Sequence, residues 1–354
     1  MKVALITDTH FGARGDNLHF NEYFFDFWEN QFFPYLEKNN IDTVIHLGDV
    51  MDRRKFVSYK IAKDFRERFI KRFHDMNINL YMITGNHDCY YKNTNEVNAL
   101  DELIDDSYNT IKTYSECETI QLKDGTNIFL IPWINNENYD HTLNEIKNTK
   151  ADIAMGHLEI DGFEMHAGHK IIGGHSKEIF KKFDMVMSGH FHKKSDDGQV
   201  FYLGNTYEIT WSDYNCPRGF NVFDTETREL EHVVNQYTIF EKIHYNDKEN
   251  DYKEFDISKY KDKIVKIFVI NKKNIFEFDK FVDRLLKESG AYEVKIIEDF
   301  SDLSPDKVSD EVTESQDTVS LLNRYVDELE IDFDKDRLKS IMKNLYLEAS
   351  ELEI

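Results

Sequence analysis

Five short groups of residues in this chain have the types and spacing to do chemistry. They are Asp8-Thr9-His10, Gly48-Asp49-Val50-Met51-Asp52-Arg53, Gly85-Asn86-His87-Asp88, Gly156-His157 and Gly189-His190-Phe191-His192. A lone D-x-H or G-H pair means little in a chain with 14 histidines, because histidines at strand ends are often only hydrogen-bonded. Five such groups, each directly after an apolar run, carry far more weight. Asp8, Asp49, Asn86, His10, His157, His190 and His192 together offer carboxylate oxygens, an amide oxygen and imidazole nitrogens. Two divalent cations roughly 3.5–4 Å apart need such a mixture, with a bridging carboxylate among the ligands. The imidazoles suit Mn2+, Fe2+ or Zn2+, whereas Mg2+ and Ca2+ favour oxygen throughout. A cation pair lowers the pKa of bound water and clamps a phosphoryl oxygen, so the chemistry implied is phosphoester hydrolysis.

Elements must bring these groups together. Lys2–Thr7, Thr43–Leu47, Asn79–Thr84, Asn127–Ile131, Ile153–Met155, Met185–Met187, Val200–Leu203 and Phe220–Phe223 read as strands, alternating with helical stretches. Most end in Gly, Asp, Asn or His, as α/β proteins do when they deliver chemistry at the carboxyl edge of a sheet. The spacing predicts an α/β (α+β) core of two sheets. A helix over Phe20–Leu36 carries aromatics around its whole circumference, so it is either sandwiched in the core or meets another subunit. Between Arg53 and Arg72 stand nine Lys or Arg against Asp64 and Glu67, a run that is a solvated face or a phosphate-contacting surface.

After about residue 240 the texture changes. Lys263–Ile270 reads as a strand, Phe276–Lys287 as a helix and Tyr292–Ile297 as a strand, giving a small β-α-β domain over 240–298. An acidic linker at 299–317 follows, then two amphipathic helices within 318–354. The helices either fold back or dock onto a partner's helices.

Composition narrows the class. With 354 residues, 40% hydrophobic and 31% charged, the chain is an ordinary globular protein with one large core and smaller appendages. Its apolar runs are far shorter than the ~20 residues a membrane span needs, and Asp8 ends the first run too early for a signal peptide, so a cytoplasmic location without membrane contact is expected. Three scattered cysteines (Cys89, Cys117, Cys216) fit a reducing compartment, with Cys89 a spectator thiol. A net charge of −23 argues against indiscriminate nucleic-acid binding, so any DNA contact must be concentrated on one face.

The motifs resemble those of the calcineurin-like metallophosphoesterases: D-x-H, G-D-x-x-D, G-N-H-[DE] and G-H-x-H. Within that group the chain is most similar to the SbcD-type recombination nucleases, in particular the smaller versions carried by tailed phages. The segments "GNHDCYYKN", "GHLEIDGF", "SGHFH", "YLGNTYEITWSD" and "PRGFNVFDTET" carry the likeness, which covers residues 1–235 well and the remainder loosely. The resemblance implies a nuclease domain at 1–235, a DNA-capping role for 240–298 and an ATPase-binding element at 318–354. It implies that Asp8, His10 and His192 hold one metal, that Asn86, His157 and His190 hold the other, and that Asp49 bridges. Mn2+ is the first choice of metal, with Mg2+, Fe2+ or Zn2+ as alternatives. His87 matches the family's catalytic histidine. Asp52 matches a position that pairs with this histidine in related protein phosphatases, and Arg53 is expected to face the substrate phosphate. The implied function is DNA exo/endonuclease activity in double-strand break repair and recombination, as a homodimer with an SMC-like ATPase of the SbcC type. The dimer is expected through helices such as Phe20–Leu36 and Val57–His74. The competing reading is a protein phosphatase or small-molecule phosphodiesterase on the same scaffold. A catalytically silent DNA-end binder is disfavoured because no ligand position is lost.

Overall fold

A computed structural model describes residues 1–297 other than 106, 167–168 and 171–173, together with Lys335. The acidic linker and, Lys335 apart, the C-terminal helical pair expected from the sequence lie outside the described residues.

Two six-stranded sheets form the core. The first contains β1 (Lys2–Ile6), β2 (Thr43–His46), β3 (Asn79–Ile83) and β4 (Ile111–Tyr114). The second contains β5 (Glu118–Gln121), β6 (Asn127–Ile131) and β7 (Ile153–His157). A two-stranded hairpin follows, β8 (Glu164–His166) with β9 (His169–Lys170), and then β10 (Met185–Gly189), β11 (Ser195–Asp196) and β12 (Val200–Tyr202) return to the second sheet. The chain re-enters the first sheet as β13 (Gly219–Asp224) and β14 (Leu230–Val234). The strand orders are β14-β13-β1-β2-β3-β4 and β11-β12-β10-β7-β6-β5. The inner strands of each sheet run parallel, so their carboxyl ends lie along one edge.

Alternation along the strands explains the layering. Val3 and Leu5 of β1 join Ile45, Ile128, Leu130, Met155 and Met187 in a core between the sheets. Ala4 and Ile6 face the opposite side, against the aromatic helices. Phe129, Ala154, Val186 and Tyr202 of the second sheet pack outward on Ile146, Phe180 and Phe183. The order is helix, sheet, sheet, helix.

The aromatic helix is sandwiched inside the protomer. Phe20, Phe24, Phe25, Phe27, Trp28, Phe32, Phe33 and Leu36 are each at most 2% exposed. One side meets Tyr207 and Phe220, and the other meets Phe69 and Phe73 from the helical segment Tyr59–Asp75. Both helical segments widen to π-helical turns at Trp28–Phe32 and Phe65–Ile70, where these large rings interdigitate. The apolar motive for a subunit contact on this helix is therefore satisfied within the chain.

The small C-terminal unit has three parallel strands, β15 (Phe240–Asn246), β16 (Ile264–Asn271) and β17 (Glu293–Ile297), and the helix Ile275–Glu288. Its first strand is hard to see in the sequence because polar residues interrupt FEKIHYN. Asn274 caps the helix N-terminus, and Phe278, Phe281, Val282 and Leu285 bury its apolar face on Ile243, Tyr245 and Ile267. The unit is tied to the core at two places. Buried Glu208 accepts the amides of Ile239 (2.8 Å) and Phe240 (3.0 Å) at the start of β15. His19 stacks on Tyr292 at 3.8 Å between ring centroids, with its Nε2 2.8 Å from the Asp262 carbonyl.

Candidate metal centre

All seven residues with ligand chemistry stand at the carboxyl edge of the parallel strands. Asp8 and His10 follow β1, Asp49 follows β2, Asn86 follows β3, His157 ends β7, and His190 and His192 follow β10. The edge is tightly turned: Asp8, His10, Asp49 and His190 all have positive φ (51°, 42°, 54° and 85°), a backbone region that costs energy outside glycine. Close approach also dictates glycine at two positions. A Cβ on Gly48 would lie 2.6 Å from His157 Nδ1, and one on Gly85 would lie 2.2 Å from Asp49 Oδ1.

The ligand atoms form two groups. Asp8, His10 and His192 bring theirs within 4.8 Å of one another, with His10 Nε2 3.0 Å from His192 Nε2. Asp49, His157 and His190 form the second group. Asn86 joins it, its Oδ1 3.0 Å from His157 Nε2 and 2.9 Å from His190 Nδ1. Asp49 Oδ2 stands between the groups, 3.3 Å from His157 Nε2 and 3.9 Å from His10 Nε2.

The electrostatics suit cations. Burial, followed by neighbouring positive charge, pushes His190 and His192 down to about 3 and His10 well below its usual value, so their lone pairs are free at neutral pH. Burial and the charge of Asp49 push Asp8 up to about 7. Burial opposes charge on His157 too, but Asp49 outweighs it and raises that ring to about 9. Carboxylates 0% and 2% exposed, packed among the imidazoles of His10, His157, His190 and His192, are a donor set that divalent metal ions would satisfy.

His87 lies beside both groups, half-buried. Its amide donates to Asp49 Oδ1 (2.8 Å) and its Nδ1 is 2.5 Å from the Asp52 carbonyl. Burial alone would lower its pKa, but Asp49 and the Asp52 carbonyl outweigh burial and raise it. Asp52 is expected to orient His87, and the two residues are in contact. The contact runs through the Asp52 main chain, while the carboxylate Oδ1 faces His10 Nδ1 at 3.5 Å. Arg53 is ion-paired with Asp16, whose Oδ2 also accepts the Ser58 amide at 3.0 Å. Much of the following basic run is likewise matched: Lys60 with Asp64, Arg68 with Glu22 and Glu29.

Sequence reasoning gives no role to several residues that shape this edge. Asp88 is fully buried, accepting Val50 N and Met51 N (both 2.9 Å) and Gly85 N (2.8 Å), so it clamps two ligand loops together. Trp133 lays its ring 5.2 Å from that of His190. Arg218 donates to the His192 carbonyl. The signal for Asp88 is its place in Gly85-Asn86-His87-Asp88, and for Arg218 its place in "PRGF". Cys89 is buried, its thiol donating to Gly85 O and Asn95 Oδ1, and burial pushes it up to about 12, which makes it inert.

The profile of the calcineurin-like phosphoesterase family matches residues 1–194. Exonuclease subunit 1 of Enterobacteria phage T4 is 32% identical over 356 aligned positions, covering 99% of this chain and all of the relative. The SbcD component of nuclease SbcCD from Staphylococcus epidermidis is 27% identical over 232 positions, covering 56% of this chain and 60% of the relative. Among solved structures, an archaeal phosphodiesterase aligns with a TM-score of 0.34 at 19% identity, covering 66% of this chain and 99% of its own.

Proposed function

The chain belongs to the calcineurin-like phosphoesterases, and from that premise we propose that it is a metal-dependent DNA nuclease of double-strand break repair and recombination. The observation that carries the reading is the position of Asp49 Oδ2 between two groups of buried ligand atoms. Asp8, His10 and His192 would hold one ion and Asn86, His157 and His190 the other, with Asp49 shared. When bound, such a pair supplies a hydroxide nucleophile and neutralises charge on the phosphoryl oxygens. Mn2+ suits the mixed oxygen and nitrogen donors best, with Mg2+, Fe2+ or Zn2+ as alternatives.

The protein's own groups do the rest. With Nδ1–H held by the Asp52 carbonyl, His87 presents Nε2 as the proton donor to the leaving oxygen, and its raised pKa favours the protonated ring. Asp52 is a positioning residue: its carbonyl sets the His87 tautomer and its carboxylate steadies His10. Arg53 meets the substrate phosphate by exchanging Asp16 for it.

DNA as substrate is supported by the end-to-end match to a phage exonuclease subunit. Residues 240–298 cap the DNA, and 318–354, tethered by 299–317, bind an SMC-like ATPase of the SbcC type. A homodimer forms through the segment from Phe56 through the helix that begins at Tyr59, because Phe56 (57%), Tyr59 (96%) and the nearby Val97 (38%) are exposed apolar groups beside a basic stretch. No helix among the described residues is long and apolar enough to cross a membrane, and the cytoplasm (a host's, if phage-encoded) is the proposed site of action.

The test is hydrolysis of short single- and double-stranded DNA with Mn2+, wild type beside His87→Asn, with p-nitrophenyl phosphate as control. Cleavage should fall about 10²–10⁴-fold in the variant. Efficient turnover of the small ester with DNA left intact would overturn the reading in favour of a phosphatase.

A further inference from the structure

Two conspicuous segments of the sequence, "YLGNTYEITWSD" and "PRGF", supply none of the seven ligand atoms, yet residues 204–218 are packed beneath the edge that carries them. Thr206 Oγ1 donates to the Thr7 carbonyl (3.1 Å) and Tyr207 OH to the Thr9 carbonyl (2.5 Å). These bonds bracket Asp8 and fix the peptide that leads into His10. The carbonyl of His192 accepts from the Asn205 amide (3.2 Å) and from Arg218 Nη1. Gly204, at φ +75°, passes so close that a Cβ there would sit 2.9 Å from that carbonyl. Asp213 completes the unit, its Oδ1 2.6 Å from Arg218 Nη2 and its Oδ2 accepting the amides of Ile209 (2.8 Å) and Thr210 (2.9 Å). Thr206 and Tyr207 are 0% exposed, Asp213 is 2% and Arg218 is 7%.

The backbone atoms this segment grips are the carbonyls of Thr7, Thr9 and His192, which belong to or adjoin the ligands of one group, Asp8, His10 and His192; His190 of the other group shares the loop of His192 but its own backbone is not gripped. The other group is set from elsewhere: His157 Nδ1 sits 2.7 Å from the Leu47 carbonyl, and Trp133 lies against His157 and His190. We propose that residues 204–218, with Arg218 and Tyr207 as positioning residues, form a dedicated cradle that sets the metal affinity of the Asp8–His10–His192 site independently of its neighbour.

The cradle acts by holding the loop in place, which reduces the conformational entropy lost when an ion binds. Asp8 and His10 sit at positive φ, so their loop must be held by its surroundings to stay in ligating geometry. A buried guanidinium shared between a carboxylate and a carbonyl is a directional, charge-assisted restraint that water cannot replace. Outer partners of metal ligands characteristically change metal affinity by about 10–100-fold when removed. Such a loss should fall here on one binding event of the two.

This inference rests on the two-metal reading, and calorimetric titration of the full chain with Mn2+ alone separates the two. Wild type should bind two ions. Arg218→Met should weaken one event by about 10–100-fold, the same event that His10→Asn abolishes, and leave the event that His190→Asn abolishes within about twofold. Arg218→Lys, which keeps the charge, should recover part of the loss. Tyr207→Phe removes a single hydroxyl without changing the packing volume, so it should fold and weaken the same event. If wild type binds fewer than two ions, the two-metal reading itself fails. If wild type binds two and both variants weaken the two events equally, or neither, the cradle is a general structural support and the proposal is overturned.

Discussion

Phe11 follows His10 in the chain, and the two side chains enter regions built on opposite terms. His10 joins a polar edge of crowded imidazoles and carboxylates and is held at positive φ. Phe11 drops into an aromatic layer where its ring meets Phe25, Trp28, Phe65 and Phe69 at centroid separations of 5.0–6.3 Å. Aromatic pairs at such distances stabilise beyond their buried area. The edge needs backbone geometry that costs energy, and the layer below contributes packing that offsets such costs. Stability and chemistry are thus divided between neighbouring residues.

That division can be attacked from either side. Phe69→Ala would open a cavity among Phe11, Trp28, Phe33, Phe65 and Phe73 and should cost about 3–5 kcal/mol, read from denaturant unfolding. Activity per folded molecule should change little; a large loss at full folding would mean that the layer tunes the edge directly. Asp88→Asn tests the seam. It weakens a carboxylate that accepts three buried amides across two ligand loops, so stability should fall by about 1–3 kcal/mol and cleavage should fall with it. A drop in only one of the two would break the assignment of Asp88 to both regions.

The smallest effect is a pH slope. His46, 0% exposed at the end of β2, has its Nε2 3.0 Å from Thr9 Oγ1, and burial lowers its pKa to about 3. Between about pH 6.5 and 3 the unfolded ring binds a proton that the folded ring refuses, so this group makes stability fall as pH falls through that window. His46→Gln should flatten the acid limb of melting temperature against pH in chelator-treated protein. An unchanged limb would remove His46 as a contributor.

The contrast also explains what can be read from sequence. The inner strands are legible because Val3–Ile6, Val44–Ile45 and Met185–Met187 are short apolar runs that lead within a few residues to Asp8, Asp49 and His190. The edge strands β4, β5 and β14 are not, since IKTY, ETIQ and LEHVV bury only one face or less and carry little pattern. The residues with ligand chemistry announce themselves by type and order. The role of the Asp52 carboxylate does not, because a hydrogen bond from His87 can end on a main-chain carbonyl that any residue possesses. Arg53 reads as a phosphate contact on the strength of its basic neighbours, yet Asp16, distant in sequence, holds it in an ion pair. The circumference of rings on Phe20–Leu36 leaves two readings open, and only the packing of Tyr207, Phe220, Phe69 and Phe73 on both sides decides between them.

The threading of the first sheet has a consequence for synthesis. β1 precedes the other described strands but lies in the interior of its sheet, parallel to β2 on one side and antiparallel to β13 on the other. At roughly 5–20 residues per second, the ribosome needs on the order of ten to forty seconds to pass from β1 to Gly219–Asp224. Until then β1 has an open edge, and the rings later covered by Tyr207 and Phe220 stay exposed to chaperones. His192 also emerges late, and Arg218 later still, so a truncated nascent chain lacks the means to assemble the edge.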